Sequence, residues 1–430
     1  MFVNTFDKGG AAKACLRLYE GLRSEHLNVS ILLKNQTSHI KNASVAAKKT
    51  PRQPNFREKL HGKSLRLGRE LKIIAPTKKP MDPDIVFLNQ RPSGLEYFSF
   101  PNSNYDLTDS PLYQEADIIH LHWVADFLDW ETFFSKNTKP VVWTLHDQNP
   151  FLGGQHYNER YLGIDEEGMP IPRKVNTIET QKENELLEIK KSSIDPISNL
   201  WIVTPSEWLM KESMRSSIMK KFEHRLIPNG VPLNIFKSLD KKFCRQVLGL
   251  PTDKTIILFV ADTILNSRKG YAFLRRAIQK VKDFDEDHVV CCAVGNKNEL
   301  NRNQALFELG KIQDERLMAM AYSAADLFVI PSLEDNLPNT MLESLCCGTP
   351  VLGFPTGGII DVVEDGVNGF LCDEISVQAL VKGLTKFLSG VVVFDRDAIS
   401  KSASERFSLA KQATAYIELY KDIMTQNGIK

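Results

Sequence analysis

The stretch Pro331-Ser332-Leu333-Glu334-Asp335-Asn336-Leu337-Pro338-Asn339-Thr340-Met341-Leu342-Glu343 decides how this chain folds. The apolar run Leu327 to Ile330 ahead of it reads as a buried strand, and its second half, from Pro338 onward, reads as the start of a helix. Pro338 suits a first helical position, where its missing N–H costs nothing. The free amides behind it form a positive helix end able to hold a phosphate or sugar oxygens. Asp335 stands just before that end and Glu343 more than a turn inside. At ~1.5 Å per residue the two carboxylates address points ~10 Å apart. A ligand with well-separated polar groups, such as a nucleotide sugar, fits that spacing, with one carboxylate for sugar hydroxyls and the other for a ribose. On spacing alone, a capping Asp335 and a solvated Glu343 are the simpler account.

Working outward, the same strand-then-helix alternation recurs. Strand-like runs cover Val29 to Leu33, Ile118 to Leu121, Val141 to Leu145, Ile202 to Pro205, Ile256 to Val260, Val289 to Val294, Leu327 to Ile330 and Val351 to Phe354. Such alternation predicts α/β architecture, parallel sheets covered on both faces by helices. The number of strands exceeds one ordinary doubly wound domain, and Pro228-Asn229-Gly230-Val231-Pro232 reads as a hinge. Two Rossmann-like domains are expected, at about 1–228 and 229–405, with a C-terminal helix in 406–430 packing back on the first.

In order after Tyr322-Ser323-Ala324-Ala325-Asp326 come Pro331-Ser332, Cys347-Gly348-Thr349-Pro350-Val351, Thr356-Gly357-Gly358-Ile359 and Asp365-Gly366-Val367-Asn368-Gly369. Together with the acid, seven residues and Glu of Asp335 to Glu343, these resemble the C-terminal domain of the family 4 glycosyltransferases. That resemblance implies the GT-B fold, two Rossmann-like doubly wound domains facing across a cleft, and retaining transfer of a sugar from a nucleotide-diphosphate donor. It implies that Glu343 hydrogen-bonds the donor ribose, that Asp335 contacts the transferred sugar, and that amides from Asn336 to Asn339, a stretch that includes Leu337 and Pro338, the latter without an N–H, approach the sugar and diphosphate. The family usually has Glu where Asp335 stands, with a longer reach. Arg268-Lys269-Gly270 opens a helix after the strand Ile256 to Val260, and resembles the family's Lys-Gly pair, which meets the diphosphate. An exposed basic turn is the plainer reading of these residues alone. Ala261-Asp262 occupies the place where many members carry an earlier Arg, so Arg268 is expected to substitute. The base is expected near Gly295 and Ile312.

In the first half, Lys8-Gly9-Gly10-Ala11-Ala12 joins a very short first strand, Phe2 to Thr5, to a helix. Gly9 and Gly10 let backbone amides approach an anion, and they match the family's Gly-Gly-Ala loop beside the donor phosphate. His120, His122 and Trp123 end one strand; Thr144-Leu145-His146-Asp147 ends the next and leads to Gly153-Gly154-Gln155-His156-Tyr157. By the same resemblance His146 contacts the donor sugar beside the reacting centre, which makes Asp335 and His146 the catalytic candidates. Histidines lining a core or cleft are the plainer alternative, and no spacing compels a metal site. Asp283-Phe284-Asp285 reads as a solvated loop, so neither a metal nor any other cofactor is expected.

Composition narrows the partners. Over 430 residues the formal net charge is +1, so no global excess points to nucleic acid. Twelve Lys or Arg against two acids stand in about 41–80, where Phe56, Leu60, Leu67, Leu71 and Ile74 form one helical stripe. That pattern suits an anionic membrane surface, contacted through 56–74; a solvated helix covering the first domain fits it nearly as well. The seven cysteines lack staple-like or zinc-like spacing, and no signal peptide or membrane span is legible. A cytoplasmic protein, peripheral at the inner face of the membrane, is the expectation. The expected partners are a nucleotide sugar and a glycan or lipid-linked acceptor, in bacterial surface polysaccharide synthesis. Two other classes compete: a non-catalytic nucleotide-sugar-binding protein, and a nicotinamide-dependent oxidoreductase, against which the first strand lacks a following Gly-x-Gly-x-x-Gly.

Overall fold

The computed structural model describes residues 1–49, 82–261, 266–281, 289–295 and 306–429. The membrane stripe 56–74, Asp262 and the Asp283-Phe284-Asp285 loop lie outside them. Among the described residues, two large parallel sheets carry the fold. The first has seven parallel strands in the order Ala43–Val45, Ile31–Leu33, Phe2–Asn4, Ile119–Leu121, Val141–Thr144, Leu200–Thr204 and Glu223–Leu226. The second has six, in the order Leu306–Gly310, Val289–Val294, Thr255–Val260, Leu327–Ile330, Val351–Gly353 and Gly369–Leu371, again all parallel. Every residue of Val141–Thr144 and Leu200–Thr204 is buried. Helices on both faces leave no solvent side, which is why these strands read as unbroken apolar runs.

Between the strands Leu327–Ile330 and Val351–Gly353 runs the helix Asn339–Cys346. It begins one residue later than expected. Pro338 sits at the cap with extended ψ of 118°, so the first helical residue is Asn339. The helix Gly10–Ser24, next after the first strand, starts behind Gly9, whose φ of +98° is left-handed, and it buries Cys15, Leu18 and Leu22.

Two segments cross between the domains. The antiparallel hairpin Tyr161–Ile164 with Pro170–Pro172 leaves the first domain and lies on the second. There Gly168 O accepts the Val377 N–H at 2.9 Å, and the Arg276 guanidinium donates to the carbonyls of Asp165 and Glu166. The helix Leu409–Gln426, capped by Ser408, returns to the first domain and packs Ala413, Tyr416, Leu419 and Ile423 against Cys15, Leu18, Tyr19 and Leu22. Burying such a Leu, Ile or Tyr is worth roughly 1.5–3 kcal/mol each. The crossing is pinned where Val231 N–H donates to Phe407 O at 2.7 Å. All seven cysteines are free and buried.

Candidate functional site

The C-terminal ends of both sheets face each other, and the loops there meet. Asp335 lies in the turn after Leu327–Ile330, 7% exposed, and its Oδ2 accepts from Lys269 Nζ at 2.7 Å and pairs with Arg268 at 3.3 Å. Burial alone would raise this carboxyl; Lys269 and Arg268 outweigh it and hold it below the ordinary aspartate range. The turn is packed backbone to backbone. A Cβ on Gly357, whose φ is +55°, would stand 1.6 Å from Asp335 O, so only glycine fits.

Arg268 is not an open cation. Its Nε and Nη2 reach Glu96 of the first domain at 2.8 and 2.7 Å, its Nη1 donates to Glu334 O at 2.7 Å, and its guanidinium lies 4.1 Å from the Tyr157 ring centroid. Burial pushes Glu96 up, but Arg268, the Asn266 amide and Lys269 pull harder and bring it to about 2. Glu334 moves the other way. Burial raises it against the amides of Asn158 and Glu159. Lys269, by contrast, keeps 31% of its side chain exposed. Of the two cations, it is the one with room to meet a diphosphate.

Glu343 is buried and held from two sides. Arg17 of the first domain donates to Oε1 at 2.7 Å and the Tyr322 hydroxyl to Oε2 at 3.0 Å; Arg17 also reaches Glu315 at 2.8 Å. Asn336 and Asn339 also look across the cleft. The Asn336 amide accepts from Ser206 Oγ at 2.6 Å and donates to the carbonyls of Leu145 and His146, while Asn339 Nδ2 donates to Gly10 O at 2.9 Å. Leu337 packs into the second core, as does half-buried Ile312. Gly295 N–H donates to Gly310 O, and a Cβ there would meet Ala261 O at 2.7 Å. Gly9 and Gly10 have open space at the helix start.

On the facing side, His146 Nε2 lies 3.1 Å from His122 Nδ1, and burial lowers His146 to about 4 against the pull of Asp147. Asp147 spends both carboxylate oxygens within the first domain. Its Oδ2 takes Trp123 Nε1–H at 2.7 Å and lies 2.6 Å from His156 Nδ1, and its Oδ1 takes the Asn149 amide at 3.0 Å. Among the described residues no three His, Cys, Asp or Glu side chains stand together as a metal cage, and no helix is long and apolar enough to cross a membrane.

The structure thus brings Asp335, Arg268, Lys269, Glu343, Asn336, Asn339, Gly9, Gly10 and His146 to one interdomain surface. It adds Arg17, Glu96, Ser206 and Tyr322, of which only Tyr322 falls in a motif of the sequence; the others gain meaning from pairing across the cleft. Beside them opens a cleft of about 230 Å³, lined by Trp208, Tyr161, Arg160, Glu334, Arg268 and Ile360.

Comparison with known proteins agrees with this architecture. Residues 240–406 match the family described as Glycosyl transferases group 1. A D-inositol 3-phosphate glycosyltransferase of Thermobispora bispora is 31% identical over 214 residues, 45% of this chain and 49% of that protein, so the chain matches about half the length of this curated relative. Among solved structures, sucrose-phosphate synthase from Thermosynechococcus elongatus superposes with a TM-score of 0.67 at 17% identity, covering 99% of this chain and 98% of that one. Anabaena HepE in complex with UDP and glucose superposes at 0.64 and 16%, covering 98% and 100%. The chain has the GT-B fold, and within it residues 240–406 are similar to the group 1 glycosyl transferases.

Proposed function

We propose that this protein is a retaining glycosyltransferase that moves a sugar from a nucleotide-diphosphate donor to a hydroxyl of a glycan or lipid-linked acceptor. The observation that carries the reading is the meeting of Asp335, Lys269 and the helix start at Asn339 with His146 and Gly9-Gly10 across one cleft. In this reading Glu343 takes the donor ribose hydroxyls. Its carboxylate has lone pairs left beyond the two bonds from Arg17 and Tyr322. Lys269 and the helix-start amides offset the charge that develops on the departing diphosphate, a preorganised electrostatic contribution. Arg268 joins them once Glu96 releases it.

Asp335 and His146 position the transferred sugar beside the acceptor hydroxyl. No residue forms a covalent adduct, and a donor phosphate oxygen takes the acceptor proton. The acceptor enters through the cleft bounded by Trp208 and Tyr161, aromatic surfaces suited to a sugar face, with Arg160 and Glu334 as polar partners. HepE with UDP and glucose supports a uridine nucleotide sugar as the first donor to try. A role in surface polysaccharide synthesis, with 56–74 on an anionic membrane, completes the reading.

A panel of nucleotide sugars scored by release of nucleoside diphosphate tests it, with Glu343→Ala and Lys269→Ala as controls. Turnover of one donor, lost in both variants, is expected. No binding of any donor would remove the assignment.

A further inference from the structure

We infer that His122 is a positioning residue that fixes His146 as its Nδ1–H tautomer, so that His146 offers the cleft a hydrogen-bond donor and not a base. Its consequence for turnover rests on the glycosyltransferase reading; its structural content does not.

The two rings meet edge to edge with 25° between their planes and centroids 5.3 Å apart, and His122 Nδ1 lies 3.1 Å from His146 Nε2. Burial holds both imidazoles well below their ordinary range, so both are neutral and one proton lies in that contact. Two arrangements are open. In one, His122 Nδ1–H donates to His146 Nε2, which leaves His122 Nε2 a bare lone pair. In the other, His146 Nε2–H donates to His122 Nδ1, which leaves His122 Nε2 carrying a hydrogen.

The surroundings of His122 decide between them. It is 2% exposed, and its Nε2 is buried without a partner among the described residues. Ring faces crowd it instead, His120 at 4.1 Å and Phe2 at 4.8 Å between centroids. His120 has no proton to trade. Its Nδ1 lies 2.6 Å from the Tyr420 hydroxyl and its Nε2 lies 2.7 Å from Thr144 Oγ1. An unpaired buried N–H is the rarer and costlier defect, because a donor cannot be left idle as cheaply as a lone pair. The first arrangement is therefore the one adopted.

His146 then spends Nε2 as an acceptor and keeps its hydrogen on Nδ1, for which the described residues supply no partner. That N–H points the chemistry one way. It can donate to a hydroxyl or ring oxygen of a bound sugar, and it cannot remove the acceptor's proton at neutral pH. The acceptor proton must therefore leave to another group, which agrees with a donor phosphate oxygen as base.

Long-range 1H–15N correlation on histidine-labelled protein tests the tautomer without any substrate, with His146→Gln and His122→Asn assigning the signals. A protonated Nδ1 and bare Nε2 on His146 are expected; a protonated Nε2 on His146 overturns the inference. In turnover, His122→Asn, whose amide nitrogen overlies Nδ1, should retain kcat within about threefold, whereas His122→Leu should lose about tenfold or more in kcat with little change in donor KM. Unchanged kcat in a folded His122→Leu overturns the positioning role. A wild-type protein that turns over no nucleotide sugar would sink the enzyme reading and leave the tautomer result standing.

Discussion

Arg268 and Lys269 are neighbours in sequence with opposite circumstances. Lys269 keeps water and one carboxylate; Arg268 is buried between Glu96, Asp335 and the Tyr157 ring. Lys269→Ala should therefore leave the melting temperature within a few degrees and raise donor KM by roughly 10- to 100-fold, read by donor titration. Arg268→Ala should cost roughly 3 kcal/mol of stability, since it leaves the half-buried Glu96 with only the Asn266 amide, leaves Asp335 to Lys269 alone and empties the space over the Tyr157 ring, and chemical denaturation will show it. Glu96 adds a pH signature. Its folded pKa of about 2 lies below the ordinary 4.5, so its contribution is complete above pH 4.5 and lost as pH falls toward 2. The stability gap between wild type and Glu96→Gln should shrink across that window in thermal melts. A gap that stays constant from pH 6 to 3 would contradict the pairing.

Elements of the fold are unevenly legible in the sequence. Val289–Val294 and Leu327–Ile330 are strands with the expected ends, because both faces of a central parallel strand are apolar. Glu223–Leu226 and Ala43–Val45 carry no such signal. They are edge strands whose side chains stay largely in solvent, so polar residues serve there and the apolar pattern disappears. The loops of the site are legible through their motifs, Asp335 to Glu343 above all. Arg17 and Glu96 are not, since their partners lie 326 and 172 residues away and nothing local marks them. The glycines of these loops give a sharp contrast. Gly357→Ala should abolish folding or cost well over about 3 kcal/mol, since its Cβ overlaps Asp335 O; Gly366→Ala, with φ of +76° in open space, should cost only about 1 kcal/mol of strain. Denaturant midpoints of the two variants will separate overlap from strain.

At the scale of the molecule, the two halves are shut on one another. Arg17 with Glu343, Glu96 with Arg268, Ser206 with Asn336 and Gly10 with Asn339 all span the cleft. On the proposed reading, the groups that meet the sugar donor are engaged by the facing domain, so binding exchanges these contacts. Combining Arg17→Met with Glu96→Gln should enlarge the radius of gyration in small-angle scattering, and a nucleotide donor should reverse it. Identical scattering from wild type and the double variant would mean that other contacts hold the closure.

The return of Leu409–Gln426 to the first domain also sets an order of events in synthesis. Cys15, Leu18 and Leu22 leave the ribosome some four hundred residues before Ala413, Tyr416, Leu419 and Ile423, which cover them. The second domain, contiguous in sequence, can mature while the first is still waiting for Leu409–Gln426. Of the two, the domain translated first is thus the one completed last, with its apolar face exposed to chaperones throughout.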